Sequence, residues 1–540
     1  MTGSQHKTLY HYDYHHSPDQ DGPAAHHRVV VVGAGPVGLT AAIDLALRGV
    51  KVVVLDDSDR IGEGSRGICW AKRTLEIWDR LGVGDALVAR GVTWQLGKVF
   101  LGDELVYSFD LLPEGGHKMP AFINLQQYYV ERALVERAAA LDAIDLRWKN
   151  RVVGLEARND GVHLSIDTPE GPYAIAADWV IAADGARSAM RDMLGLEFSG
   201  HTFEEKFLIV DVRMHADDIP TERRFWFDPP FHTGQSALLH RQPDDCWRVD
   251  LQLGPDADIE AELKPERYLP RIERMLDGRS FSVDWISIYR FNCRRIDRFV
   301  HGRVIFVGDS AHQLSPFGAR GANSGIQDAD NLGWKLAAVL NGEAGSELLD
   351  SYDAERMQAA DENIGHSTRS TDFIAPRSPA EHALRNAVLT LAPRAAFARR
   401  MVNSGRLSVA TVYETPLSTP DEAPFAGSAR LGAPVPDAPV TDRSGVAGSL
   451  LQHLTGGFQL LHVGALAPVD VPSGLALTTV GNEFADHIDL ADHAGLFAQR
   501  FDAAPGSTYL LRPDQHLAAR WRMLDAAKIA AAHRRALAMP

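Results

Sequence analysis

Cysteine is scarce: the 540 residues hold only Cys69, Cys246 and Cys293, too few and too scattered for a disulfide framework or a zinc site. A reducing cytoplasm is the expected setting, and no metal is expected. No run of about 18 consecutive apolar residues occurs, and no basic segment leads into an apolar one near residue 1, so neither a membrane span nor a secretory leader is expected. A concentrated basic stripe is missing too. With 55 Lys and Arg against 71 Asp and Glu, the formal net charge of -16 would repel a polyphosphate backbone, which excludes nucleic acid as the expected partner. What is present is an ordinary globular composition, 45% hydrophobic and 23% charged, in a chain long enough for two or three domains.

Residues 1–27 are polar and sprinkled with histidine (His6, His11, His15, His16, His26, His27), and no periodicity buries an apolar face there. They read as a disordered tail, with no spacing that fixes a metal geometry. At Arg28 the character changes. Val29 to Val32 is the β-branched run of a strand buried on both faces; a glycine turn follows, then a helix-length stretch from Pro36 to Arg48 and a second buried strand from Lys51 to Leu55. This is a strand-helix-strand unit. Between residues 201 and 295 the pattern becomes period 2, with Trp247, Val249, Leu251 and Leu253 on one face and Arg248, Asp250 and Gln252 on the other, as in an antiparallel sheet. Residues 401–445, which carry Pro416, Pro420, Pro424, Pro434, Pro436 and Pro439 among small residues, read as an extended linker. Beyond it, Phe458 to Val463 reads as a strand, Tyr509 to Leu511 and Leu517 to Ala519 as a hairpin, and an alanine-rich helix closes the chain.

The chemistry lies in four short segments. In Gly33-Ala34-Gly35-Pro36-Val37-Gly38, Gly33 permits the tight turn, Gly35 lets backbone approach a pyrophosphate and Gly38 lets helix and strand pack closely, while the helix N-terminus offers amides to the phosphates. Asp56, at the end of the second strand, stands where a carboxylate accepts hydrogen bonds from ribose hydroxyls, and it disfavours a 2'-phosphate. FAD and NAD share the half that this pattern reads. Asp184-Gly185 and Gly308-Asp309 follow two further apolar runs, which puts more carboxylates at the carboxyl edge of the sheet, where ligands of open α/β folds bind. The segment Pro316-Phe317-Gly318-Ala319-Arg320-Gly321-Ala322-Asn323 then opens a long helix whose dipole suits the negative charge of a reduced isoalloxazine.

Gly33 to Gly38, Arg66, Gln127, Asp184-Gly185, Gly308-Asp309 and Pro316 to Asn323 together closely resemble the group A flavoprotein aromatic hydroxylases, the family of para-hydroxybenzoate hydroxylase, over residues 28–400. The C-terminal unit resembles the thioredoxin-like tail of phenol hydroxylase and 3-(3-hydroxyphenyl)propionate hydroxylase, without a Cys-x-x-Cys pair and so redox-inactive. The resemblance implies an α/β fold: an FAD-binding Rossmann-type domain (28–95, 118–200 and 296–400), an inserted antiparallel-sheet substrate domain (96–117 and 201–295) and a thioredoxin-like domain (446–540). It implies that Gly33, Gly35, Pro36 and Gly38 hold the FAD pyrophosphate and Asp56 the ribose, that Arg66 and Gln127 contact the phosphate and ribityl regions, and that Asp184 and Gly185 serve FAD and NAD(P)H. Gly308 and Asp309 would hold the ribityl chain, with Pro316, Gly321, Ala322 and Asn323 around the reactive ring.

The implied reaction uses NADH or NADPH and O2: hydride reduces FAD, and the distal oxygen of a flavin hydroperoxide attacks a phenolic ring in a pocket that excludes water. No side-chain base is assigned; Pro316 and Gly321 form the flavin and oxygen environment. Phe225, Trp226, Phe227, Phe231, His232, His240, Trp247 and Tyr289 are the candidate wall, of which His232, His240 and Tyr289 are the candidate substrate contacts; a histidine near its ordinary pKa can deprotonate a phenol. A homodimer is implied as well. The alternatives are an epoxidase or oxidase of a non-phenolic substrate and a flavin-binding sensor without turnover. A halogenase would carry a Trp-x-Trp-x-Ile-Pro motif, which this chain lacks.

Overall fold

The computed structural model describes residues 10–539 apart from 63–65, 159–160, 403–406, 465–470, 473 and 485–486. Its first sheet is eight-stranded, and its centre is parallel: Val304–Phe306, Gly171–Ala182, Ala25–Val32, Val52–Leu55 and Ile144–Arg147 lie side by side in that order. Val29, Val30 and Val31 are fully buried, as the unbroken β-branched run requires of a strand covered on both faces. The helices Pro36–Leu47 and Gly321–Leu340 pack together against this sheet.

Strand order decides where a ligand can sit. The chain runs from the 25–32 strand to the 52–55 strand on one side and reaches the 171–182 strand on the other, so a crevice opens at the carboxyl ends of the strands. Gly33, Asp56, Asp184 and Gly308-Asp309 all stand within two or three residues of such an end.

The second sheet, also eight-stranded, takes strands from both Leu96–Asp110 and Ser199–Arg295 and adds His312–Gln313 at one edge. Trp247, Val249, Leu251 and Leu253 join one buried cluster with Leu208, Val210 and Val212. The opposite face of the same strand, Arg248, Asp250 and Gln252, is no more exposed to bulk water than the first: Arg248 and Gln252 are buried and Asp250 lies at a cavity wall. Alternation here separates core from cavity, not core from solvent.

In the C-terminal part, the parallel pair Phe458–Val463 and Leu475–Gly481 lies next to the antiparallel hairpin Thr508–Leu511 and Leu517–Trp521, and the helix Ala526–Ala536 follows. This is the sheet order expected of a thioredoxin-like unit.

Two expectations need correction. The segment read as a disordered tail is ordered from Tyr10 on: Tyr12 stacks on Trp148 at 4.6 Å, Asp19 receives His27 at 2.8 Å and Arg147 at 2.7 Å, and the first strand begins at Ala25 rather than Arg28. Residues 1–9 lie outside the described residues. Single specific contacts, which carry no period, hold this arm down. The segment read as a linker packs instead of spanning: Tyr413, Leu417, Ala429, Val435 and Ala438 are buried, and Pro439–Asp442 is a strand of the C-terminal sheet. Small residues between the prolines let an extended chain lie flat on a core.

Candidate active site

The two sheets face each other across a cavity of about 1090 Å³. Of the residues expected to hold cofactor, Gly33, Gly35, Pro36, Asp56, Arg66, Gln127, Asp184, Gly185, Gly308, Asp309, Pro316, Gly321, Ala322 and Asn323 all line it. Gly38 does not. A Cβ on Gly38 would run into the Gly33 carbonyl oxygen, so its contribution is the close approach of helix to turn.

Three features fit a flavin dinucleotide. A Cβ on Gly35 would meet nothing within 4 Å, so the space in front of this backbone is clear for a pyrophosphate. Leu39 N is the first amide bonded within the first helix, to Gly35 O at 3.0 Å, and Ser324 N the first within the 321–340 helix, to Arg320 O at 2.8 Å, which leaves the leading amides of both helices directed at the cavity. Asp184 Oδ1 is buried without a hydrogen-bond partner among the described residues, while Oδ2 accepts from Met190 N at 3.0 Å.

The carboxylates carry different tasks. Asp56 Oδ2 accepts from Ala34 N at 2.6 Å and Oδ1 from Ser58 N at 2.9 Å, so it shapes the glycine loop as well as facing the cavity. Burial pushes its carboxyl up to about 6 against these hydrogen bonds. An acidic group raised in this way is ionised above about pH 6 and protonated below it, and only the ionised form accepts from both Ala34 N and a ribose hydroxyl. FAD affinity, titrated by flavin fluorescence quenching from pH 5 to 8, is therefore expected to fall by up to about tenfold per unit below pH 6, and Asp56→Asn to flatten that dependence. Asp309 faces the cavity, and burial raises its carboxyl above the usual range. Gln127 is committed to the protein: Oε1 accepts from Gly67 N at 3.0 Å and Nε2 donates to Glu131 at 2.7 Å, so it holds Gly67 against its own helix. The Asn323 side chain is likewise spent on Ala71 N, Thr74 and Cys69 O, which leaves its backbone amide for a ligand.

The sheet wall is aromatic, as expected, but mostly through other residues: Phe207 and Phe291 line it beside Tyr289. His240 and Tyr289 line the cavity. Trp226, Phe231 and Trp247 point into the cluster on the far side of the sheet, and Phe225 and Phe227 pack beside the cavity with Phe207 and Phe317. His232 is outside the lining, its Nε2 paired with the Gln252 carbonyl oxygen, so it is corrected from substrate contact to a structural group. Strand pairing reveals what the sequence reading passed over: Arg223, Arg248 and Asp250 stand on the cavity face with His240. The signal was there in the polar half of the 246–253 alternation, but a period says nothing of whether its polar face meets water or a ligand.

Residues 26–367 match the model of a family described as the FAD binding domain, more than half of the chain, and the protein belongs to this family. It is a flavin-dependent monooxygenase with FAD as its cofactor. Among its relatives, 6-methylpretetramide 4-monooxygenase of Streptomyces rimosus is 32% identical over 531 residues, 93% of this chain and 91% of that protein. A 3-(3-hydroxy-phenyl)propionate/3-hydroxycinnamic acid hydroxylase of Mycolicibacterium smegmatis is 30% identical over 67% of this chain and 64% of its own. In fold the chain is similar to the flavin-dependent monooxygenase PieE, solved with FAD and substrate: the TM-score is 0.81 at 23% identity, over 96% of this chain and 100% of that one. Among the described residues, no helix is long and apolar enough to cross a membrane.

Proposed function

We propose that this monooxygenase hydroxylates a phenolic or related electron-rich aromatic molecule, with NADH or NADPH as reductant and O2 as the oxygen source, as a cytoplasmic homodimer. The observation that carries the reading is convergence. Four cofactor segments from separate parts of the chain and the cavity face of the second sheet close on one space.

Bound FAD supplies hydride acceptance and oxygen activation; the chain supplies everything else. Gly35 and the first amides of the Pro36–Leu47 helix take the pyrophosphate, Asp56 the ribose, and Asp309 the ribityl hydroxyls. The leading amides of the Gly321–Leu340 helix stabilise negative charge on the ring. Asp184, with one buried oxygen unpartnered among the described residues, offers a hydrogen-bond acceptor in the cavity wall. The second sheet holds the aromatic substrate against Pro316 and keeps water out. Burial, reinforced by the Arg223 and Arg248 guanidinium groups, holds His240 well below its ordinary value, so its imidazole is neutral and accepts a hydrogen bond from a phenol hydroxyl rather than its proton.

The test is a phenol panel with the FAD-loaded enzyme, following NAD(P)H oxidation, H2O2 and product mass in 18O2. Substrate-stimulated oxidation with one 18O atom in the product is expected. Oxidation that no member stimulates, with H2O2 as the sole product, would favour the oxidase reading.

A further inference from the structure

Across four strands of the second sheet runs a polar row. His240 is paired with Arg248 and Arg248 with Asp211, and since Phe225 pairs with Leu238, Arg223 falls beside His240 at the other end. Asp250 stands in the next position on the same face, opposite Leu238. Arg223, His240, Arg248 and Asp250 line the cavity.

The members are not equally satisfied. Arg248 is held by Asp211, with Nε to Oδ1 at 2.9 Å and Nη2 to Oδ2 at 3.2 Å. Arg223 Nε, His240 Nδ1 and Asp250 Oδ1 are all buried without a hydrogen-bond partner among the described residues, and neither Arg223 nor Asp250 is in an ion pair there. Burial lowers the Arg223 guanidinium from its ordinary value and pushes the Asp250 carboxyl up to about 6. One such group is a local imperfection. Three on one face of one wall, a strong donor at one end and acceptors beyond it, are costly unless something in the cavity completes them.

We propose that this row recognises an aromatic substrate bearing a hydroxyl beside a carbonyl or carboxylate oxygen: Arg223 takes the carbonyl or ionised oxygen, and His240, with Asp250 next to it, takes the hydroxyl. This rests on the hydroxylase reading and narrows it. A guanidinium opposite an oxyanion in a low-dielectric pocket makes a charge-assisted hydrogen bond, and a neutral imidazole beside it accepts a hydrogen bond from the neighbouring hydroxyl without itself becoming charged. An aromatic with neither oxygen would leave the three groups as they are.

The test uses the FAD-loaded protein and two probes, 1-hydroxyanthraquinone and 2-hydroxybenzoate, each against its methyl ether, with binding read by perturbation of the flavin absorbance. The parent of at least one pair is expected to bind at least about tenfold more tightly than its ether. Arg223→Gln is expected to weaken that parent about 10- to 100-fold, and Arg223→Lys to recover part of the loss. FAD content is measured in the same samples, so loss of fold is read separately. Equal binding of parents and ethers, no binding of either, or an Arg223→Gln protein that binds like wild type would overturn the proposal. Product formed only from phenols lacking the second oxygen would do so too, and would leave the hydroxylase reading standing.

Discussion

Gly33→Ala is expected to strip the protein of FAD and to lower its folding stability by about 3 kcal/mol or more. Two costs add at this position. Gly33 sits at φ +108°, where an L side chain is strained, and a Cβ there would drive into the Ala183 carbonyl oxygen and lie 3.1 Å from the Asp184 Cα. Neither can relax cheaply, because the backbone on both sides is the end of a buried parallel strand. Gly35→Ala makes the matched comparison. Its Cβ meets no protein atom within 4 Å, so unfolding in urea is expected to shift by no more than about 0.5 kcal/mol. FAD affinity should still fall, by about 5- to 150-fold if crowding the pyrophosphate costs about 1–3 kcal/mol. Equal stability losses in the two variants would show that the loop is held by something other than the contacts described.

Glu355→Ala is expected to cost about 3–5 kcal/mol. This carboxylate, on the helix Leu348–Ile374, accepts from Arg512 Nη1 at 2.7 Å and Nη2 at 3.0 Å, from Lys335 Nζ at 2.8 Å and from Asn331 Nδ2 at 2.7 Å, all buried. Burial alone would raise its carboxyl, but Arg512 and Lys335 hold it well below the carboxylate range. Removing it leaves two cations in the interior with too few acceptors. Lys335, already brought down to about 8 by burial, would shed its proton more readily. The effect should be local as well as global. Arg512 and Asp514 belong to the turn of the C-terminal hairpin, and Asp514 also accepts from Trp334 Nε1 at 3.0 Å, so the network ties the C-terminal unit to the helix that begins at the flavin site. Faster proteolysis after residue 400 and faster FAD release, alongside a lower urea midpoint, are the expected signs. A variant with unchanged midpoint and FAD release would mean that this network contributes nothing to holding the two parts together.

The same contrast between local and assembled information runs through the site. Gly33, Gly35 and Asp56 were legible because a turn, a close approach and a strand end are properties of a few consecutive residues. Gln127 and Asn323 were legible as site residues, but their side chains are tied to the protein, at Gly67 and Glu131 and at Ala71, Thr74 and Cys69; no sequence pattern reports where an amide finds its partner. His232 and His240 looked equivalent in the chain, one residue type eight positions apart in the same sheet region. Strand register put His240 on the cavity face, while the turn between the strands Arg223–Phe227 and Ser236–Arg241 gave His232 the Gln252 carbonyl.

The sequence by itself determined the strand-helix-strand unit, the glycine turn, the carboxylates at the strand ends and hence the dinucleotide, because each depends on the backbone freedom or periodicity of neighbouring residues. Tertiary structure alone decided that residues 10–27 and 413–440 are packed, which face of the second sheet meets the cavity, and that Arg223 stands beside His240. Those outcomes depend on register between strands far apart in the chain and on which buried polar groups find partners, and both are fixed only when the sheets have come together.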